Sequence, residues 1–268
     1  LDRSSAASDV YKRQILWPLP LIRIFPALSS PFLQTLTEST ELQSFTAKVI
    51  NGNEVIMVRI ILIRHGETTW NVEGRYQGQE DIPLSPKGIA QGKAAGLALK
   101  DISIDAAVSG PLSRAFDTCR FITEYHHVNI RVDERITEIS HGRWEGVHAD
   151  EIKKNYPKEF ELWHNRPEQV QMPGGESLED VRKRVRAAFD DYAAIYQGKT
   201  LLVAAHDAVN KVILCDLMGL SMEHFWHFKQ DNACINVIEE HEKSWRLVTL
   251  NATTHLGYLF SSIEQKGL

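Results

Sequence analysis

The sequence predicts an α/β protein, a three-layer α/β/α sandwich built on a mostly parallel sheet, and three observations predict it. The first two are a matched pair of apolar runs, Val58-Arg59-Ile60-Ile61-Leu62-Ile63 and Thr200-Leu201-Leu202-Val203-Ala204-Ala205. Both are short and nearly continuous in apolar character, as strands buried on both faces of a parallel sheet must be. Each stops abruptly at a histidine, the first at Arg64-His65-Gly66 and the second at His206. The third is the alternation of strand-like and helix-like segments from Met57 onward, which implies right-handed crossovers with helices on both faces.

In chain order, the strand over 58–63 is followed by Ser85-Pro86, a serine cap with proline in the first turn, opening a helix toward residue 100. A short buried strand is expected over 106–109, a helix over 112–125 from its apolar spacing, and a further strand over 129–132. Residues 140–173 are more weakly patterned and rich in Trp, Tyr, Pro and His, with short helices expected over 149–156 and 159–165. Lids and specificity walls have this character. Ser177-x-x-Asp180 opens a long helix in capping-box fashion, and Gly198 closes it. After the strand over 200–205, a helix returns over 209–218 and stops at Gly219, and strands over 233–239 and 245–250 complete an edge ribbon.

Composition excludes more than it assigns. With 43% hydrophobic and 24% charged residues, the chain of 268 can bury a sizeable core. A net charge of −5 argues against a nucleic-acid or anionic-membrane partner and favours a small substrate in a locally positive pocket. Cys119, Cys215 and Cys234 are widely spaced and form no Cys-x-x-Cys pair, so they read as reduced packing residues of a cytoplasmic protein. Nothing in the pattern speaks to oligomeric state. Residues 1–56 lack the strand-and-helix rhythm of the chain beyond them, and Ser4-Ser5-Ala6-Ala7-Ser8-Asp9-Val10-Tyr11-Lys12-Arg13-Gln14 resembles the translation of a sequencing adapter. The expectation is a non-domain extension over 1–56, one domain over 57–255 and a tail over 256–268. A targeting peptide is the competing reading of the extension, although Pro18, Pro20, Arg23 and Pro26 interrupt its apolar stretch.

If the strands ending at Ile63, Ser109 and Ala205 are parallel neighbours, Arg64, His65, Arg114 and His206 meet beyond their carboxyl ends, where open α/β sheets bind ligands. Four groups able to carry positive charge repel one another unless an anion sits among them, and a phosphate with about two negative charges fits. Phosphoryl transfer asks the protein mainly for positioning and charge compensation, which guanidinium forks supply. One imidazole is then expected to attack while the other stays protonated.

Arg64-His65-Gly66-Glu67-Thr68-x-x-Asn71 resembles the signature of the histidine phosphatase superfamily, which includes the phosphoglycerate mutase-like enzymes. The similarity continues in order through Ser109-x-x-x-Ser113-Arg114-Ala115, Thr118, Thr137-Glu138-Ile139, Gly142-Arg143-Trp144-Glu145-Gly146, Pro173-Gly174-Gly175-Glu176-Ser177 and His206. The resemblance implies a phosphoglycerate mutase-like fold and a two-step transfer without metal or other cofactor. His65 would become a phosphohistidine, and Arg64, Arg114 and His206 would hold the phosphoryl oxygens. Asn71 and Gln77 would add substrate contacts, and Gly66 would let the backbone turn beside the phosphate. Glu138 would act as acid and then as base.

The stretch from Gly142 to Gly146 is similar to the phosphatase branch, and the long basic insert of the mutases is absent, so a phosphomonoesterase is expected. A cofactor-dependent phosphoglycerate mutase and a non-catalytic phospho-ligand sensor are the alternatives. The sensor is motivated by Asp207, which stands where the family usually carries glycine and could either stabilise His206 as a cation or repel phosphate. His224-x-x-His227 lacks a third convincing metal ligand. Trp144, Trp163 and Trp226 read as core or pocket walls, and Lys153-Lys154 and Arg182-Lys183-Arg184 as solvated helix faces.

Overall fold

The computed structural model describes residues 57–242, 244–259 and 261. The extension expected over 1–56 and most of the expected tail lie outside these. The described elements run β1 (Val58–Arg64), α1 (Thr69–Glu73), α2 (Pro86–Leu99), β2 (Ala106–Ser109), α3 (Ser113–Thr123), β3 (Ile130–Val132), α4 (Ala149–Asn155), α5 (Pro157–Asn165), α6 (Leu178–Ile195), β4 (Lys199–Ala205), α7 (Asp207–Leu217), β5 (Ile235–His241) and β6 (Ser244–Ala252).

Alternation along the central strands builds the layers. Val58, Ile60 and Leu62 of β1 join one core cluster, whereas Ile61 and Ile63 join another. β4 divides the same way, with Leu201, Val203 and Ala205 in the first and Leu202 and Ala204 in the second. Strands that are apolar on both faces need cover on both. Ala95 and Leu99 of α2 with Cys119 and Ile122 of α3 cover one face. Val181, Val185 and Phe189 of α6 with Val212 and Ile213 of α7 cover the other, completing the expected three layers.

The sheet has the order β3-β2-β4-β1-β5-β6. β3, β2, β4 and β1 are mutually parallel, while β5 and β6 form an antiparallel ribbon attached to β1. The register pairs Arg64 with Ala205 and Ser109 with Ala204, so three strands end at one level.

Local chemistry explains the starts. Ser85 caps α2 by accepting from Gly88 N, and Ser177 and Asp180 form the capping box of α6. Four starts differ from expectation, among them that of α5, which begins at Pro157 rather than 159 because proline suits the first helical turn. The five-residue α1 was not anticipated, and its capping box is Thr68 with Asn71. α7 begins at Asp207 rather than 209, because Asp207 pairs with Lys211 one turn further on, at 2.7 Å. β5 begins at Ile235 rather than 233, because Ala233 has φ 57° and cannot extend a strand.

The loop leaving β1 lies directly on the first turn of α2. A Cβ at Gly88 would stand 2.0 Å from the Glu67 carbonyl oxygen, a backbone atom that cannot swing aside. Gly88→Ala is therefore expected to lower the unfolding free energy by about 1–3 kcal/mol, the usual cost of overpacking. Urea titration checks this, and an unchanged midpoint with an unchanged slope would contradict the contact.

Candidate active site

Register assembles the site. Beyond the Arg64–Ala205 pair, His65 N donates to Ala205 O at 3.1 Å, which sets His65 beside His206 at the ends of adjacent strands. Their ring centroids are 5.3 Å apart, with planes inclined by 59°. At the end of β2, a Cβ on Gly110 would come within 3.1 Å of His206 Nε2, so glycine there leaves the ring its space. Arg64 Nη1 donates to Gln230 O at 2.5 Å and lies 3.2 Å from Asp207 Oδ1. Arg114, in the first turn of α3, donates from Nη1 to Glu80 O and from Nη2 to Gly78 O. Glu138 accepts from Ile139 N at Oε1 and from Asp207 N at Oε2.

Arg64, His65, Arg114, Glu138 and His206 are all buried. Among the described residues, Arg64 Nε, Arg114 Nε and both ring nitrogens of His206 nevertheless have no hydrogen-bond partner. Buried polar groups are normally satisfied, so unpaired donors beside two guanidinium groups mark a place built for an anion.

Asn71 and Gln77 enter the site through Thr68. Asn71 Oδ1 accepts from Thr68 N and from Asn232 Nδ2, which also donates to His65 O. Gln77 Oε1 accepts from Thr68 Oγ1. Gly66 donates to Thr118 Oγ1, and a Cβ on it would meet Gly88 O at 2.5 Å. Its small size is thus required by the approach of α2.

One environment pushes the titratable groups in opposite directions. Burial, then the charges of Arg114 and Arg64, hold the His65 imidazole well below 6.5. Burial and Arg114 do the same to His206, joined by His65, Arg184 and Arg64. Both imidazoles are thus pushed toward the neutral form. Burial raises the Glu138 carboxyl above 4.5, helped by the Asp207 charge, against Ile139 N–H and the two arginines. His65 Nδ1 lies 2.7 Å from Gly66 O. A carbonyl only accepts, so Nδ1 carries the proton and Nε2 keeps its lone pair. These surroundings favour an imidazole with a free lone pair at Nε2 and a carboxyl that holds its proton more tightly than usual.

Sequence reasoning missed the groups that hold Glu138 in place. Arg184, expected on a solvated face, instead donates from Nη1 to Arg135 O and Thr137 O and from Nη2 to Glu138 O. Its other bonds go to Glu176 Oε1 and Oε2, and Glu176 Oε2 also accepts from Ser140 N. Gln79 Nε2 donates to Glu138 O, and Glu145 Oε1 accepts from Gln79 N and His141 N. The signal for Glu176 and Glu145 was present, since both lie inside the matched motifs. Lys153, Lys154 and Lys183 are exposed, as expected of solvated helix faces. Trp144 and Trp163 are core residues, Trp226 is partly buried against that core, and His141 is packed among Tyr76, Trp144 and Trp163. His224 and His227 have ring centroids 5.2 Å apart, and among the described residues no group of three or more His, Cys, Asp or Glu could hold a metal ion. No described helix is long and apolar enough to cross a membrane.

A fold of this topology, with paired histidines and arginines beyond its parallel strands, suits a phosphoryl-transfer enzyme. The chain belongs to the histidine phosphatase superfamily (branch 1), whose profile matches residues 60–253. Among its relatives is phosphoserine phosphatase 1 of Hydrogenobacter thermophilus, 36% identical over 204 residues, covering 76% of this chain and 97% of the relative. Among solved structures, YhfR of Bacillus stearothermophilus is 28% identical with a TM-score of 0.72, covering 74% of this chain and 99% of its own. A mycobacterial glucosyl-3-phosphoglycerate phosphatase is 28% identical with a TM-score of 0.68, covering 72% and 98%.

Two measurements check this geometry. Arg184→Met leaves the reacting groups intact but frees the Glu138 backbone, so kcat is expected to fall about 10²-fold, the scale of a 1 Å misplacement. An unchanged kcat would remove Arg184 from the support. His141 is held by burial down at about 3. The stability this gives is fully present above the unfolded value of 6.5 and is lost as pH falls from there toward 3. His141→Phe is therefore expected to flatten the acid loss of unfolding free energy by about 1.4 kcal/mol per pH unit in that window. Urea titrations between pH 7 and pH 4 read this slope, and parallel curves for parent and variant would contradict it.

Proposed function

We propose that this chain is a metal-independent phosphomonoesterase that hydrolyses a small phosphorylated metabolite through a phosphohistidine on His65 Nε2. The observation that carries the reading is the divergence at one buried site: His65 pushed toward the neutral imidazole and Glu138 toward the protonated acid. His65 Nε2 attacks phosphorus, the bond to the ester oxygen breaks, and Glu138 gives its proton to the departing oxygen. The Glu138 carboxylate then takes a proton from water as that oxygen attacks phosphorus. The N–P bond breaks, inorganic phosphate leaves, and both groups return to their starting forms.

Arg64 and Arg114 compensate charge on the equatorial oxygens and His206 offers them a hydrogen bond, with Asn71, Gln77 and Gly66 shaping the loop that carries His65. The positive field comes from side chains, so chelation with EDTA is expected to leave the rate unchanged. The relative at 36% identity is named a phosphoserine phosphatase, and phosphoserine accordingly heads the panel of phosphomonoesters to be assayed. The free, buried thiols Cys119, Cys215 and Cys234 support a cytoplasmic location, and the domain over 57–255 is taken as the working unit.

With a 32P-labelled substrate, rapid acid-free quenching is expected to recover label on His65, and His65→Ala is expected to abolish both label and turnover. Glu138→Gln should lower kcat by about 10²–10⁴, the usual contribution of general acid–base catalysis, while retaining label. Turnover near the native rate in His65→Ala would refute the mechanism. Conversion of 3-phosphoglycerate stimulated by 2,3-bisphosphoglycerate, with no net hydrolysis, would replace the phosphatase reading by a mutase.

A further inference from the structure

Asp207 and Lys211 are buried charged residues on the first turns of α7, and the phosphoryl-transfer steps use neither. Their side chains pair at 2.7 Å between Oδ2 and Nζ. The other carboxylate oxygen, Oδ1, lies 3.2 Å from Arg64 Nη1, and the Asp207 backbone N donates to Glu138 Oε2. Lys211 Nζ stands 4.5 Å from the ring centre of Trp226 and 5.0 Å from that of Phe225.

A buried carboxylate beside a phosphate site carries a specific cost. Alone against Arg64 it would neutralise the guanidinium that a phosphoryl group needs, and alone in the interior it would be strongly disfavoured. An ammonium group seated against two aromatic faces answers both problems. We propose that Asp207 and Lys211 act as one positioning unit for the phosphate site: Asp207 fixes the Arg64 guanidinium beside Glu138, and Lys211 offsets the carboxylate so that Arg64 keeps its charge for the phosphoryl group. This rests on the phosphatase reading and names how its site is tuned.

A consequence reaches the acid. Glu138 is faced by Asp207 from α7, Arg64 from β1 and Arg114 from α3, and by the Ile139 N–H of its own loop. Lys211 is in turn faced by Asp207, Arg64 and Glu138. Of the charges facing Glu138, only Asp207 raises its proton affinity. Its removal leaves arginines that lower it, so the alkaline limb of kcat, where Glu138 must still be protonated, moves to lower pH.

The experiment compares the full chain with Asp207→Asn, Lys211→Met and the double variant, using p-nitrophenyl phosphate turnover against pH and orthovanadate affinity by calorimetry. Lys211→Met is expected to weaken orthovanadate about 10-fold or more, and the double variant to recover part of that loss, because removing both charges removes the imbalance while Arg64 still lacks the carboxylate that fixes it. Asp207→Asn is expected to move the alkaline limb down by about one pH unit, a shift that a merely structural residue would not produce. Equal affinities in Lys211→Met and the double variant, with an unmoved limb in Asp207→Asn, would overturn the pair while the parent's turnover upholds the phosphatase reading. A parent that turns over no phosphomonoester would instead sink that reading, and the orthovanadate series alone would then decide for or against the pair. Should Lys211→Met not fold, the Asp207→Asn limb decides.

Discussion

The register of β1 against β4 is the constraint on which everything else depends. Both strands are apolar on both faces, so the alternation that normally fixes a register has little hold here: a slip by one residue would exchange one apolar set for another. The polar ends fix it instead. Arg64 N donates to Cys234 O, His65 N donates to Ala205 O, and Asn236 Nδ2 donates to Leu62 O. A slipped strand would leave those groups unpaired and draw the Arg64 guanidinium away from Gln230 O and Asp207 into an apolar layer. The pairing that satisfies the backbone at the strand ends is the one that places two imidazoles side by side.

Once the rings are adjacent, burial alone sorts their chemistry from that of Glu138. Loss of water disfavours whichever form is charged, so the same burial drives an imidazole toward its neutral base and a carboxyl toward its neutral acid. Arg64 and Arg114 deepen the first effect and oppose the second, and they do not reverse it. Burial also draws Arg114 down to about 10, still well above neutrality. The site thus keeps permanent positive charge on guanidinium groups and adjustable protons on the groups that must exchange them.

The parts legible in the sequence were those whose physics is local. The buried strands announced themselves by continuous apolar runs, and the starts of α2 and α6 by Ser85-Pro86 and Ser177-x-x-Asp180. α1 escaped because five residues carry no periodicity and its box uses Asn71 in place of the usual Glu. Arg184 escaped for a tertiary reason. Two positions apart on a helix point about 200° apart, so Arg182 and Arg184 in one basic run meet different worlds. Arg182 pairs with Glu179 and Asp216, whereas Arg184 reaches carbonyls 46 to 49 residues away. Asp207 was visible as a departure, but the sign of its effect depends on the Lys211 and Arg64 side chains it meets, which only the packing of α7 against β1 decides.

Glu138 illustrates how the fold separates placement from proton affinity. Its position is set through the main chain: Arg184 and Gln79 grip its carbonyl, Glu176 holds the next loop residue but one at Ser140 N, and Glu145 ties the turn beyond it at His141 N. Its proton affinity is set through the side chain, by burial and by Asp207. On the proposed mechanism this carboxyl donates and then accepts a proton, so it changes charge twice in each cycle. Were its location dependent on an ion pair to its own oxygens, each change would loosen it. Anchoring the carbonyl, whose dipole is the same in both protonation states, lets the charge alternate while the oxygen atoms stay where the leaving group and the water must meet them.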